Sequence, residues 1–414
     1  MVTQRAYRSK IQLRELQAKL PTCWQQLAVT LAVASLLTLP SAICAAETKP
    51  IAKRTTPSQL QLVDLDSTPG VHVVVDREAG QYLGHPTTCL LEDGKTILCV
   101  YPKGHGKGGI VYKRSSDGGK TWSDRLATPD NWETSREVPT LHRVVDAGGK
   151  KRIIMWSGLY PARLAVSEDD GRTFSPLRKV GDWGGIVVMG CVEPVERPGR
   201  YLAMFHDDGR FFRSTPAKNR SFTLYKTFSD DGGLTWSDPE SVYNATDRHL
   251  CEPGCIRSPD GKTLAVLLRE NARRENSHII YSTDEGRTFT EPVELPLSLT
   301  GDRHTGKYLP DGRIFISFRC RSPKQSVAKR PFEGDWVGWI GRWEDLRDRT
   351  EGELFIRLKD NKKGYDTAYP GVEVLPDGTV VTTTYGHWDV GEQPYIRSVR
   401  FKAEQLTTLA TDAP

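Results

Sequence analysis

The chain has little of what would place it in a membrane, on a nucleic acid or around a metal ion. Its apolar run Leu27–Leu39 is shorter than the roughly 20 residues that a membrane-spanning helix needs, and no later segment is longer and equally apolar. Residues 1–46 hold five of the 57 Lys and Arg and one of the 52 Asp and Glu, so the remainder carries a net charge of only +1. So small a charge argues against a nucleic-acid surface, and no Cys or His spacing is typical of a zinc site. We therefore expect no metal or other cofactor, no nucleic-acid partner and no membrane insertion of the mature protein.

The N-terminus has the pattern of a cleaved signal peptide over residues 1–46. A basic stretch precedes Leu27–Leu39, and small residues at Ser41–Ala46 follow it. This pattern predicts export to a periplasm or to the outside. Cys44 raises the alternative of a lipoprotein, although the isoleucine before it fits that reading poorly. Residues 47–68 are polar and contain Thr and Pro, and we expect them to form a flexible leader.

One short motif recurs four times with the pattern S-x-D-x-G-x-T-[W/F]. Its starts lie 52, 62 and 53 residues apart, a period typical of repeat architectures. The Asp can accept hydrogen bonds from its own turn, the Gly tolerates a positive φ, and the aromatic ring can pack into a neighbouring sheet. We expect these segments to be structural surface turns without a chemical role. The four copies are Ser115–Trp122, Ser167–Phe174, Ser229–Trp236 and Ser282–Phe289.

A second repeat consists of glycine-bearing hairpin turns between runs of β-forming residues. Such turns are strong hairpin signals, no long amphipathic helix interrupts them, and their intervals are 55, 50, 62, 51 and 66 residues. Six hairpins predict an all-β, six-bladed β-propeller over residues 69–405, followed by a C-terminal tail at 406–414. Val71–Glu78 is expected to close the ring against the last blade, which protects the sheet edges. The turn glycines are Gly94, Gly149, Gly199, Gly261, Gly312 and Gly378.

Two positions relative to these glycines collect polar and aromatic residues. Both flank apolar strand segments, so they are expected to lie at the strand ends around one cleft. Nine residues before the glycine stand His85, Glu252, Arg303 and Tyr369. Seven residues after it stand Tyr101, Trp156, His206, Arg319 and Tyr385, with Arg269 one residue later in the fourth repeat.

These motifs resemble the sialidase superfamily, whose members are six-bladed propellers with repeats of this kind, called Asp boxes. The resemblance covers residues 70 to 403. Within CEPGCIRSPDGKTLAVLLREN, Glu252 matches the base that activates the nucleophile, and Arg269 matches one arginine of a carboxylate-binding triad. Within TAYPGVEVLPDGTVVTTTY, Tyr369 matches the tyrosine nucleophile. Arg319, or alternatively Arg303, is expected to be a second triad arginine.

The chemistry of sialic acid explains why the family uses these residue types. The sugar carries a carboxylate at its anomeric carbon, which would repel a carboxylate nucleophile, so a neutral phenol takes that role. A free Tyr has a pKa of about 10, so a neighbouring base is needed. Arginines hold the substrate carboxylate through paired hydrogen bonds.

The chain departs from the family pattern at two places. The first hairpin has Gly84-His85-Pro86 where relatives have Arg-Ile-Pro, and no acidic residue stands between Tyr101 and Arg114, where relatives have the acid/base aspartate. We expect His85 to take the arginine's place. His105 is the expected proton donor because histidine titrates near working pH. Lys103 and Lys107 are alternatives for that role. A further alternative is that this glycine-rich segment is only a flexible rim without a chemical role.

The sequence thus predicts an exported, exo-α-sialidase-like glycoside hydrolase acting on an acidic-sugar glycan. Tyr369, Glu252 and His105 are the predicted catalytic residues. A propeller lyase on uronates is an alternative, because Tyr and His can move a proton while Arg neutralises the uronate. A non-catalytic carbohydrate-binding propeller is another. The predicted substrate-binding residues are Arg269, Arg319, Arg303, His85 and Tyr385.

Two cysteines are placed symmetrically about the first hairpin turn. Cys89 and Cys99 each lie five residues from Gly94, so a disulfide between them is possible in an oxidising compartment. Free thiols buried in the sheet are the alternative. Cys251 and Cys255 cannot pair if the strand between them is extended.

Overall fold

The computed structural model describes residues 59–326 and 330–412. The predicted signal peptide at 1–46 lies outside the described residues, so export stays a prediction.

Two short α-helices and three 3₁₀ turns accompany the strands: α1 (Trp343–Asp348), α2 (Ala403–Leu406), Asp130–Thr134, Leu297–Leu299 and Thr407–Leu409. The strands in the described part of the chain are β1 (Gln61–Asp64), β2 (His72–Asp76), β3 (Thr87–Leu90), β4 (Ile97–Pro102), β5 (Ile110–Ser115), β6 (Thr140–Val145), β7 (Lys151–Ser157), β8 (Arg163–Ser167), β9 (Arg178–Lys179), β10 (Ile186–Pro194), β11 (Tyr201–Asp207), β12 (Thr223–Ser229), β13 (Glu240–Asn244), β14 (Leu250–Arg257), β15 (Leu264–Glu270), β16 (His278–Ser282), β17 (Val293–Glu294), β18 (Gly301–Tyr308), β19 (Ile314–Cys320), β20 (Trp336–Gly341), β21 (Leu354–Lys359), β22 (Gly371–Val374), β23 (Thr379–Gly386), β24 (Tyr395–Lys402) and β25 (Thr411–Asp412).

The strands form six sheets, each of which contains one antiparallel blade of a six-bladed β-propeller. Each blade is a meander that starts with the hairpin predicted from its turn glycine. The fold prediction is therefore confirmed. In chain order the blades are β3-β4-β5, β6-β7-β8-β9, β10-β11-β12-β13, β14-β15-β16-β17, β18-β19-β20-β21 and β22-β23-β24-β2.

The ring is closed by the N-terminal strand β2, as predicted. It pairs antiparallel with β24, with His72 opposite Val399. The expected domain limits differ from the structure at both ends. β1 lies within the expected leader, yet it pairs parallel with β21, and β25 lies within the expected tail and pairs with β1. The unpaired edge of the fifth blade explains both additions, because it offers free backbone groups that an extended segment can satisfy.

Apolar side chains of neighbouring blades pack face to face and form the core. Between the first two blades Leu98 and Val100 meet Met155, while between the second and third Trp156 packs near Trp183. The strand faces that meet another blade are therefore largely apolar. Most of the polar residues of the candidate site lie at strand ends.

The four repeated motifs form the same turn in each of the first four blades. Asp117 accepts hydrogen bonds from Ser115 Oγ (2.8 Å), Thr121 N (3.0 Å) and Thr121 Oγ1 (2.6 Å). Asp169, Asp231 and Asp284 accept the equivalent bonds.

Each motif turn also packs on the preceding blade. A Cβ on Gly171 would lie 2.5 Å from Leu98, and one on Gly286 would lie 2.5 Å from Leu202. Glycine is therefore needed there for close approach as well as for its positive φ. Together with the hydrogen bonds, this packing gives the motif turns a structural role.

Of the two alternatives for Cys89 and Cys99, the structure contradicts the disulfide and confirms buried free thiols. In the β3–β4 hairpin Cys89 lies opposite Leu98, and Cys99 lies opposite Thr88. The two thiols are offset by one position and point to opposite faces of the sheet. Both are free and buried. The disulfide instead joins Cys191 on β10 to Cys255 on β14, between the first strands of the third and fourth blades.

Candidate functional site

Several blades have a residue in the left-handed backbone region, either within the inner strand or just before it. His85, Glu252 and Arg303 have φ of 54°, 54° and 56°, and Ala368, just before Tyr369, has φ of 55°. The pairing register shifts at this point in β14 and β18. A bulge of this kind turns side chains out of the regular alternation, and non-glycine residues with positive φ cluster at functional sites. The first of the two recurrent sequence positions therefore marks where the strands are bent toward one cleft.

Tyr369 and Glu252 form the centre of this cleft. The Tyr369 hydroxyl donates a hydrogen bond to Glu252 Oε1, and both side chains are buried. Arg269 Nη1 donates to the same oxygen at 2.7 Å and to Tyr369 Oη at 3.3 Å. The site thus contains a phenol, a base and a cation within direct reach of one another.

The electrostatics of this group keep the phenol neutral and the carboxylate ionised. Burial raises the pKa of Tyr369 well above its usual value, and the nearby Glu252 raises it further. Burial alone would raise the pKa of Glu252, but Arg269 and the Tyr369 hydroxyl together hold it below its ordinary value. Glu252 is therefore ready to accept the phenol proton when Tyr369 attacks.

Asp302 holds the surrounding arginines in place. It is fully buried, and its Oδ2 accepts from Arg319 Nε at 2.6 Å. Its Oδ1 lies 3.2 Å from Arg269 Nε and 2.5 Å from Arg273 Nη2. Burial alone would raise the pKa of Asp302, but the three guanidinium groups hold it far below its usual range. This carboxylate therefore offsets part of the positive charge of the cleft.

His85 lies between the cleft and a polar network behind it. Its ring is 4.5 Å from that of Tyr369, measured between centroids. The Gly106 N–H donates to His85 Nδ1 at 3.1 Å, so Nε2 carries the proton and donates to Tyr385 Oη at 3.1 Å. Tyr385 in turn donates to Asp366 at 3.2 Å. Burial holds the pKa of His85 well below its usual value, so this histidine is neutral at pH 7.

His105 stands at the exposed rim. Its side chain is 66% exposed, and Nδ1 lies 3.3 Å from Asp366 Oδ1 and 2.7 Å from the Tyr82 hydroxyl. Lys103, one alternative to it, is engaged with Glu78 at 3.5 Å. His105 thus reaches the cleft with one ring nitrogen directed at the Asp366 network.

A cavity of about 260 Å³ connects most of these groups. Five of the predicted residues line it, namely His85, His105, Glu252, Arg269 and Tyr369. Two others support it from behind: Arg319 stacks 5.8 Å from the Tyr369 ring centroid, and Tyr385 bonds to His85. Arg303 lines a different cavity in the central channel, together with Lys307 and His142.

The second recurrent position reaches the site in only some blades. His206 lines the cavity, and its Nδ1 accepts from the Glu252 N–H at 3.3 Å. Trp156 is instead buried in the core between blades, and Tyr101 donates to Asp76 away from the cavity. Position along the strand alone therefore does not decide which side chains enter the cleft.

Sequence reasoning missed Asp302, Arg273, Asp366 and Glu137. Asp302 directly precedes Arg303, and Asp366 lies three residues before Tyr369. Both could have been found because they are close in sequence to predicted site residues. Glu137 lies in the link between the first two blades and lines the same cavity. Because that link belongs to no hairpin, alignment on the turn glycines cannot reveal it.

Neither a metal cluster nor a membrane helix is found in the part of the chain that the structure describes. Residues 59–326 and 330–412 contain no group of three or more His, Cys, Asp or Glu placed to hold a metal ion. Across the same residues, no helix has the length and apolar character needed to cross a bilayer.

Comparison with known proteins identifies the family. The model of the BNR repeat-like domain matches residues 144–367. A sialidase of Clostridium perfringens is 27% identical over 262 residues, which are 58% of this chain and 56% of that protein. The chain therefore aligns with little more than half of that relative.

Two solved structures share the fold. A protein of unknown function from Dyadobacter fermentans superimposes with a TM-score of 0.61 at 17% identity, covering 80% of this chain and 97% of that one. The intramolecular trans-sialidase of Ruminococcus gnavus, in complex with oseltamivir carboxylate, gives a TM-score of 0.52 at 14% identity, covering 78% and 95%. With the family match over more than half of its length, the chain belongs to the BNR repeat-like domain family and thereby to the sialidase superfamily.

Proposed function

We propose that the protein is an exported glycosidase that cleaves the glycosidic bond of an acidic sugar through a tyrosine nucleophile. The observation that carries this proposal is the hydrogen bond from Tyr369 to Glu252, with Arg269 bonded to both. A buried phenol bonded to an ionised carboxylate has little structural value that a Phe and an apolar residue would not supply. It is the arrangement that general-base activation of a nucleophile requires.

The reaction follows from this geometry in two steps. Tyr369 Oη attacks the anomeric carbon while its proton passes to Glu252, the bond to the leaving oxygen breaks, and that oxygen takes a proton from an acidic group of the cleft. Water then attacks the same carbon and gives one proton back to that acidic group, the bond to Tyr369 breaks, and the phenolate regains its proton from Glu252. A neutral nucleophile suits a sugar that carries a negative charge next to the reacting carbon.

The charge of the cleft favours an acidic substrate but not a simple sialoside. Arg269 and Arg319 lie beside the nucleophile, and Asp302, which also binds Arg273, offsets part of their charge. Neutral His85 stands where the resemblance to sialidases calls for a third triad arginine. A missing charged hydrogen bond is worth about 1.5–3 kcal/mol, so ordinary sialosides should turn over slowly or not at all.

A product screen tests the proposal. Purified protein is incubated with sialosides, uronates and sulfated glycans, and products are identified by mass and by ultraviolet absorbance. A hydrolysed acidic sugar, absent with Tyr369→Phe, would support the glycosidase. An unsaturated product that absorbs in the ultraviolet would show a lyase, and binding without turnover would show a carbohydrate-binding propeller; either would overturn the proposal.

A further inference from the structure

Glu137 is an acidic side chain of the cleft that has no assigned role in the two-step reaction above. It follows the 3₁₀ turn Asp130–Thr134 and precedes β6, so it comes from the link between the first two blades. It lines the same cavity as Tyr369 and Glu252.

The surroundings of Glu137 hold it in one position. Its Oε1 accepts a hydrogen bond from the Val138 N–H at 2.9 Å. A Cβ on Gly106 would lie 3.1 Å from the same oxygen, so the glycine lets the backbone approach the carboxyl group. The Gly106 N–H donates to His85, whose ring contacts Tyr369. Glu137 thus lies beside the Gly106 backbone, which in turn bonds to the histidine that contacts the nucleophile.

The charge state of Glu137 suits a proton donor. Burial raises its pKa from an ordinary 4.5 to about 7, and the Glu252 carboxylate raises it as well. The Val138 N–H and the positive charges of His105 and Arg210 oppose that rise. The carboxyl group is therefore partly protonated near neutral pH, where a general acid is most effective.

His105 is less suited to that role. Its side chain is largely exposed, and its Nδ1 faces the Asp366 carboxylate and the Tyr82 hydroxyl. A donor in contact with bulk water competes with water for the leaving oxygen, whereas Glu137 is half-buried and lines the same cavity as the nucleophile.

We propose that Glu137 is the acid/base residue of this site: it protonates the leaving oxygen in the first step and takes a proton from water in the second. This inference rests on the proposed glycosidase activity. In the first step the carbon–oxygen bond to the leaving group breaks as the bond to Tyr369 forms. The proton of Glu137 goes to the leaving group, and the proton of Tyr369 goes to Glu252. In the second step the proton that water loses returns to Glu137.

The test compares Glu137→Gln with wild type on two glycosides of the sugar found in the screen. An alkyl glycoside needs protonation of its leaving oxygen, whereas a 4-nitrophenyl glycoside does not. Because a general acid contributes about 10²–10⁴-fold, formation of the tyrosyl intermediate should slow by at least about 10²-fold on the alkyl glycoside and by less than about 10-fold on the nitrophenyl glycoside. Single-turnover kinetics measure that step.

One matched control and one variant of the rival proton donor accompany this test. Glu133→Gln changes an exposed glutamate of the same link and should leave both rates near wild type. His105→Gln should slow both substrates by less than about 10-fold. If His105→Gln shows the leaving-group dependence and Glu137→Gln does not, the assignment to Glu137 is overturned.

A titration keeps the inference separate from the proposed function. The side-chain carboxyl of Glu137 is followed by carbon NMR in protein labelled at glutamate, with Glu137→Gln used for assignment. Full ionisation at pH 6 overturns the inference whether or not a substrate has been found, and a titration midpoint near 7 together with the leaving-group dependence supports it. If wild type cleaves nothing while Glu137 titrates near 7, the proposed function fails and the acid/base role fails with it, although the raised pKa stands.

Discussion

The outer turns and the channel mouth of this propeller are built in opposite ways. At the outer turns, Asp117, Asp169, Asp231 and Asp284 accept the same local hydrogen bonds in four blades. At the mouth, His85 and Glu252 share a strained backbone conformation but differ in chemistry. The same residues therefore recur in the outer turns, where four blades need the same turn structure. The side chains diverge where one asymmetric cleft is assembled.

The two regions also differ in what satisfies their charges. Each motif aspartate is satisfied within its own turn. Asp302, by contrast, needs arginines from two strands and a neighbouring link. A change at an outer turn should thus cost stability only, and a change at the mouth should cost activity.

The largest expected effect comes from removing the nucleophile pair. Tyr369→Phe, Glu252→Gln and the double variant should each lose at least about 10³-fold in kcat/KM on the true substrate, because residues that act as one unit are not additive. Steady-state kinetics and thermal unfolding of the three proteins check this. Tyr281→Phe, which removes a distant hydroxyl bonded to Leu346, is the control. A double variant much less active than either single one would contradict the shared role.

Asp302→Ala should produce the largest loss of stability. It would leave three buried or half-buried guanidinium groups without their common carboxylate, and breaking a buried pair costs about 3–5 kcal/mol. Urea unfolding measures the change, and exposed Asp124→Ala is the control. An unchanged unfolding midpoint would show that the arginines do not need this carboxylate.

Loss of the Cys191–Cys255 disulfide should have the next largest effect on stability. The bridge joins two blades across a sequence separation of 64 residues, and removing a disulfide commonly costs about 2–4 kcal/mol. Urea unfolding with and without reductant tests this. Reductant should destabilise wild type but leave Cys191→Ser/Cys255→Ser unchanged. Equal stability of all four samples would rule out the bridge.

Asp117→Ala should have the smallest effect and should act on stability alone. It removes turn hydrogen bonds at a cost of about 1–3 kcal/mol, and the kcat of the folded protein should stay near wild type. A large loss of rate at an unchanged Tm would refute the structural role of the outer turn.

The same aspartate gives a pH test. Burial alone would raise the pKa of Asp117, but hydrogen bonds from Thr121 and Ser115 lower it from 3.8 to about 2. The ionised carboxylate thus stabilises the folded protein above about pH 4, and this contribution is lost as the pH falls toward 2. The stability difference between wild type and Asp117→Ala should narrow over that interval. A stability difference that does not change with pH would mean that the negative charge of Asp117 does not contribute to the stability of the turn.

The sequence by itself determined the number of blades, the turns and the Tyr369–Glu252 pair. These depend on local signals, because a turn glycine and a motif aspartate act on residues within a few positions of themselves, and the repeat places equivalent positions at one mouth. Ring closure by β2 follows from the same logic.

Only the tertiary structure decided the cysteine pairing, the Asp302 contacts with three arginines and the entry of Glu137 into the cleft. The register of one hairpin separates Cys89 from Cys99, and the contact between two blades joins Cys191 to Cys255. Glu137 reaches the site because its link crosses between blades at the channel mouth. Such contacts join residues far apart in the chain, so their geometry exists only once the six blades are closed into a ring.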